Sequence, residues 1–143
     1  MTQIVPVTPD FAVAPQLTAA DIARAGAEGY KVLVCNRPDG ESPGDLQSAE
    51  AAEAAAAAGL AFHLIPFAGP PPKAAVDALR QALAEAPGPV LAYCRSGTRS
   101  ITAWALAQAT AGARETEEII GLAAKAGYDL SGARAVLTQL RPG

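Results

Sequence analysis

Residues 90–104 read V-L-A-Y-C-R-S-G-T-R-S-I-T-A-W, and this stretch decides the fold. An apolar, strand-length run ends at Cys94, a short loop of small residues holds Gly97, and a helical pattern begins near Arg99 or Ser100. A strand that feeds a helix through a tight glycine loop is the unit of an α/β sheet. It also aims backbone N–H groups and a helix N-terminus at one point, an arrangement that favours an anion. A thiolate is an anion, so the loop is expected to favour ionisation of Cys94, whereas a free thiol at about 8.5 is mostly protonated at neutral pH.

Working outward, strands and helices alternate. Phe11–Ala14 reads as a short strand closed by Pro15. Thr18 and Asp21 form a capping-box pattern ahead of a helix beginning at Ile22 and ending at Gly26 or Gly29. Tyr30–Cys35 is a β-branched strand, and Asn36–Asp45, with prolines and glycines, is a loop. Ser48–Ala58 is an Ala/Glu helix stopped by Gly59, and Leu60–Phe67 is a further strand. Ala68–Pro72 is a stiff turn, because consecutive prolines forbid a ladder. Helices are expected over Lys73–Ala86, Ser100–Ala109, Glu115–Ala126 (stopped at Gly127) and Ser131–Leu140. The order predicts an α/β fold with a largely parallel sheet, its C-terminal helices covering one face.

The 143 residues suit one domain spanning 1–143, with no repeat or linker to divide it. Half the residues are hydrophobic but only 5% aromatic, so small residues, alanine above all, must pack the helices closely. The net charge of −3 and the lack of a Lys/Arg run argue against a nucleic acid or an anionic membrane as partner. Any anion site is therefore local. The N-terminus has neither a basic region nor an apolar core of signal type, and no apolar run is long enough to span a bilayer. Two cysteines without C-x-x-C spacing point to free thiols in a reducing cytoplasm. With His63 the single histidine, no structural zinc site is expected, and no cofactor signature appears.

In the loop itself, Gly97 is expected at positive φ so that the amides converge. Arg99 supplies a planar fork for two oxygens of an oxyanion. Arg95 adds a second positive charge or points to solvent. Ser96 and Thr98 complete the cradle, and Ser100 either caps the helix or donates to the sulfur. The alternative, a buried strand cysteine with solvated arginines, does not account for Cys, Gly and Arg at these offsets.

The segments N-R-P-D-G-E at 36–41, A-Y-C-R-S-G-T-R-S at 92–100 and G-Y-D-L-S-G at 127–132 together resemble the beta-lactamase-hydrolase-like, phosphatase-like domain family. The resemblance implies a protein-tyrosine-phosphatase-like α/β fold, a central sheet of four to five strands and a catalytic cysteine, here Cys94. Some members of the family are described as phosphatases. Others, some fused to sulfur dioxygenases, are described as rhodanese-like sulfurtransferases, so a sulfur dioxygenase is an implied partner.

Two features bear on the reaction. Cysteine phosphatases place one residue more between Cys and Arg than the four found here, and the shorter loop resembles that of rhodanese. Phosphate ester hydrolysis also benefits from a carboxylic acid beside the cysteine, and the A-G-P-P-P loop after Phe67 has none. Asp39 is the candidate general acid, with Glu41 and Asp45 as other substitutes. These features favour a sulfurtransferase that carries sulfane sulfur from thiosulfate or a persulfide as a Cys94 persulfide. The alternatives are phosphomonoester hydrolysis through a phosphocysteine and a non-catalytic anion- or redox-sensing module.

Supporting residues follow from topology. If the strand ending at Cys94 inserts between those ending at Cys35 and Phe67, Asn36 and Arg37 lie beside the cysteine loop and brace it or touch substrate. Cys35 then reads as a buried apolar residue, or as a resolving thiol for Cys94. His63 and Trp104 read as structural. Glu115–Glu118 reads as an acidic, exposed first helical turn.

Overall fold

The computed structural model describes residues 2–142. Its strands are β1 (Val5–Thr8), β2 (Phe11–Ala14), β3 (Val32–Cys35), β4 (Ala61–Leu64) and β5 (Val90–Tyr93), in the spatial order β1-β2-β5-β3-β4. All pairings are parallel except β1 with β2. The expected α/β architecture is therefore present. The three middle strands β2, β5 and β3 are buried along their whole length, as continuous apolar runs require when both faces of a sheet are covered.

Six α-helices surround the sheet among the described residues: α1 (Ala19–Ala27), α2 (Ser48–Ala58), α3 (Lys73–Glu85), α4 (Thr98–Ala111), α5 (Thr116–Lys125) and α6 (Arg134–Leu140). The first two close one face, where Ile22, Ala25, Ala51 and Ala55 pack on Leu33, Leu91 and Tyr93. Gly26 is obligatory there, since a Cβ would stand 2.6 Å from the Ala58 carbonyl oxygen. Helices α3 to α6 build the other face around Trp104, which stacks on Phe11 with ring centroids 5.6 Å apart. Trp104 is thus structural, as expected.

The strand order differs from the expected one. β5 lies between β2 and β3, not between β3 and β4. The consequence drawn for Asn36 and Arg37 survives, because β5 still neighbours β3 and Cys35 pairs in register with Tyr93. β1 was not anticipated. Its Pro6 argues against a ladder position, yet is tolerated because β1 is an edge strand. β3 and β4 are shorter than the apolar runs containing them, and Ile65 and Phe67 are buried core residues of the following loop. The segment 131–140 divides into a short 3₁₀ turn (Ser131–Ala133) and α6. His63 sits half-buried on edge strand β4, in a groove against Ala78 and Gln81 of α3.

The capping box at Thr18 and the glycine stop at Gly59 are present, although α1 begins at Ala19 and not at Ile22. Thr18 and Asp21 make both bonds of the capping box, and α2 ends on Gly59 at φ 83°. The acidic cluster is not simply solvated: Glu117 pairs with Arg134, Glu118 with Arg114 and Glu115 with Arg141.

Candidate active site

Parallel strands deliver their carboxyl ends to one edge, and the chemistry-bearing residues gather there. Cys94 follows β5 directly and is fully buried. Its amide donates to the Ala14 carbonyl (3.3 Å), while Gln16 N–H donates to the Arg95 carbonyl (3.3 Å), so the end of β2 and the residues after it anchor both sides of the cysteine. Gly97 is the N-cap of α4 at φ 91°, a conformation that glycine adopts at little cost. The helix therefore starts at Thr98, earlier than expected. Of the loop amides, Gly97 N–H donates to Cys94 Sγ at 3.1 Å.

Arg99, in the first turn of α4, is held by two acceptors. Its Nη1 and Nη2 donate to the two carboxylate oxygens of Glu41 at 2.9 and 2.8 Å, and Nη1 also donates to the Phe67 carbonyl at 3.0 Å. These bonds use three of the guanidinium's five N–H groups; the other two, Nε–H and the second Nη2–H, form the parallel pair along its side edge, and Cys94 is a further hydrogen-bond partner of the guanidinium. That edge is a ready bidentate fork for an oxyanion. The hydrogen bonds that Arg99 donates to Glu41 are the main cause that raises its proton affinity, and the charge of Cys94 and a hydrogen bond to the Cys94 side chain add to it.

Glu41 is itself shared. Arg37 Nε donates to it at 3.0 Å, so one carboxylate links two arginines. The Arg99 hydrogen bond first, and then that of Arg37, hold its carboxyl at about 2 against the opposing effect of burial. It is ionised throughout the neutral range. Arg37 is buried and also donates to Gln16 Oε1 (2.7 Å) and Asp45 Oδ2 (2.8 Å). Burial opposes its charge, but the bonds to Asp45 and Glu41 outweigh that and raise its proton affinity.

Several residues expected to touch an anion stand elsewhere. Asn36 is fully buried and donates its side-chain amide to the Ile65 carbonyl (2.9 Å), so it braces the neighbouring loop. Arg37 braces through its carboxylates. The exposed Arg95 side chain makes no hydrogen bond among the described residues. Ser96 Oγ is engaged with Thr98 Oγ1 (3.0 Å), and both residues are exposed on the outer side of the turn. Ser100 does not cap α4, a place taken by Gly97; its hydroxyl is buried without a hydrogen-bond partner among the described residues. Asp39 accepts from Ser48 N–H (2.8 Å) and Oγ (2.6 Å), bonds that lower its proton affinity. It caps the first turn of α2 and has no proton to donate at neutral pH.

Cys35 lies in the core under α1 and α2, among Ala12, Leu33, Ala51 and Tyr93, within reach of the charge of Cys94. Its thiol donates to the Arg37 carbonyl at 3.4 Å, and burial pushes its proton affinity up. Two residues carry more of this site than their sequence context suggested. Glu41 was weighed only as an acid, although its place in N-R-P-D-G-E, between two arginines in space, makes it an orienting anion. Tyr128 donates its hydroxyl to the Ser96 carbonyl at 2.9 Å. Its signal was the G-Y pair at the end of α5. A groove of about 720 Å³ between α3 and α4, lined by Lys73, Asp77, Gln81 and Gln108 among others, contains neither Cys94 nor Arg99.

Comparison with known proteins bears on the family and the fold. Residues 3–111 match the family described as beta-lactamase hydrolase-like protein, phosphatase-like domain. A beta-lactamase hydrolase-like protein of Agrobacterium fabrum is 38% identical over 122 residues, covering 85% of this chain and 28% of that protein. The chain thus spans under a third of the length of the curated relatives it matches. A crystal structure from Neisseria meningitidis, assigned as a phosphatase, superposes with a TM-score of 0.83 at 35% identity, over 96% of this chain and 98% of the other. PTPMT1, solved in complex with PI(5)P, shares the fold at a TM-score of 0.75 and 16% identity, over 96% of this chain and 93% of its own. No helix among the described residues is long and apolar enough to cross a membrane.

Proposed function

The chain belongs to the family of beta-lactamase hydrolase-like phosphatase-like domains, and on that premise we propose that it hydrolyses small phosphomonoesters through a Cys94 phosphocysteine. The observation that carries the proposal is the pairing, in a tyrosine-phosphatase-like fold, of a sulfur that accepts a loop N–H with a guanidinium whose side edge can take two phosphate oxygens. Cys94 sulfur attacks phosphorus, the S–P bond forms and the P–O bond to the leaving group breaks. Water then attacks phosphorus, the S–P bond breaks, and phosphate leaves with the thiolate regenerated. Arg99 and the amides of residues 95–99 bind the equatorial oxygens in both steps.

The site residues also suggest a substrate class. Asp39 is committed to α2 and Glu41 is fully ionised, so neither protonates a departing oxygen. The domain should therefore prefer esters whose leaving group departs as a stable anion, such as aryl phosphates, over simple alkyl phosphates.

A second reading is retained on one observation. The four-residue spacing between Cys94 and Arg99 makes a smaller ring than a phosphatase loop, and sulfane transfer needs no acid when sulfite leaves. In it, Cys94 attacks the outer sulfur of thiosulfate, sulfite departs, and the Cys94 persulfide passes its sulfur to cyanide or a thiol.

Purified protein assayed with p-nitrophenyl phosphate, and with thiosulfate plus cyanide, tests both, each beside Cys94→Ser. Nitrophenol release that disappears in Cys94→Ser is expected. Thiocyanate formation without nitrophenol release would replace the phosphatase reading with sulfur transfer. Neither product would leave an anion- or redox-sensing module.

A further inference from the structure

Tyr128 reaches the nucleophile through a single peptide group. Its hydroxyl donates to the Ser96 carbonyl oxygen at 2.9 Å, and the N–H of the same peptide, that of Gly97, donates to Cys94 Sγ at 3.1 Å. Hydrogen bonds in such a chain polarise one another, so a donor on the carbonyl strengthens the N–H at the other end. The bond also sets the direction of the peptide. Gly97, at φ 91°, is the kind of position where a peptide turns over at little cost. Turned over, this one would present its carbonyl oxygen to the sulfur and oppose the thiolate.

The phenol is itself held in place. α5 ends in a Schellman closure, with Gly127 N–H bonded to the Ala124 carbonyl (3.0 Å) and Tyr128 N–H to that of Ala123 (2.9 Å), Gly127 standing at φ 96°. The same helix is pinned through fully buried Ile119 and Ala123. A Cβ on residue 97 would lie 2.1 Å from Tyr128 Oη, so glycine at 97 and tyrosine at 128 are matched in space. Position 128 lies beyond the residues that match the family. Burial first, and then the charge of Cys94, push the phenol's proton affinity up, which keeps it a donor at neutral pH.

We propose that Tyr128 is a positioning residue for Cys94, holding and polarising the Ser96–Gly97 peptide so that its N–H stays on the sulfur. The inference rests on the reading of Cys94 as a thiolate nucleophile. It is tested by alkylating the full chain with iodoacetamide from pH 5 to pH 10, with peptide mapping to separate Cys94 from Cys35. In Tyr128→Phe the midpoint of Cys94 alkylation should move up by about half a unit to one unit, slowing the reaction at pH 6 about three- to tenfold. The rates should converge at pH 10, where the thiol is ionised in both. A merely structural contact would change the high-pH rate or the melting temperature and leave the midpoint in place. 3-Fluorotyrosine at position 128, a stronger donor while neutral, should move the midpoint down. A wild-type midpoint below that of free cysteine, shared unchanged by Tyr128→Phe, overturns the relay alone. A wild-type midpoint equal to that of free cysteine overturns the nucleophile reading and the relay with it.

Discussion

The carboxylate of Glu41 grips the end of the Arg99 guanidinium at 2.8 and 2.9 Å and leaves its side edge to the neighbourhood of Cys94. Two residues 58 positions apart in the chain thus fix the orientation of one guanidinium. Glu41→Gln should keep the fold but let Arg99 swing, and a misplacement of about 1 Å in a positioning group costs on the order of 10²-fold in rate. Nitrophenyl phosphate kinetics would show this as a fall in kcat/KM. Glu41→Asp should recover part of it, and an unchanged value would remove Glu41 from the mechanism.

Arg99→Lys separates charge from geometry. Lysine keeps the positive charge but cannot hold Glu41 with one edge and a phosphate with the other. Turnover should fall by about 10²-fold or more, the scale of losing one preorganised oxyanion donor. Vanadate or phosphate inhibition should weaken in parallel, as read by titration of activity.

The low proton affinity of Glu41 has a pH signature. Its folded value of about 2 lies below the ordinary 4.5, so it contributes stability above about pH 4.5 and loses it as pH falls towards 2. The difference in melting temperature between wild type and Glu41→Gln should be largest and flat above pH 5, then shrink towards pH 2. A difference that grows on acidification would contradict the ion-pair geometry.

Gly97→Ala combines a backbone penalty at φ 91° with a contact against Tyr128 Oη. Destabilisation of about 1–3 kcal/mol is expected from the strained backbone alone. Adding Tyr128→Phe removes the oxygen at 2.1 Å but leaves the ring carbon at 3.0 Å, so rescue should be partial. Urea midpoints of the two single variants and the double variant measure this directly.

Trp104 is the one tryptophan and stacks on Phe11 at the centre of the larger core. Trp104→Ala should cost about 3–5 kcal/mol, as large-to-small core changes do. In the wild type its fluorescence should report cooperative unfolding, and a melting curve by circular dichroism should coincide with it.

Local chemistry was legible from residues alone. The capping box of Thr18 and Asp21, the stop at Gly59, the positive φ at Gly97 and the strand-to-helix junction at Cys94 all depend on neighbours within a few positions. The α/β class followed from alternating periods. β1 was hidden because Pro6 contradicts a ladder unless its strand lies at an edge, and edge position is a property of the whole sheet. The placing of β5 beside β2 was hidden for the same reason.

The site divides in the same way. Cys94, Gly97 and Arg99 are recognisable because one loop carries them. Glu41 and Tyr128 reach that loop only when the segments that follow β3 and α5 pack around it, since hydrogen-bond partners 58 and 32 residues apart are chosen by tertiary contact. A sequence specifies conformations through short-range sterics and periodicity. Which carboxylate meets which guanidinium, and which phenol meets which carbonyl, is settled by the burial of the faces that carry them.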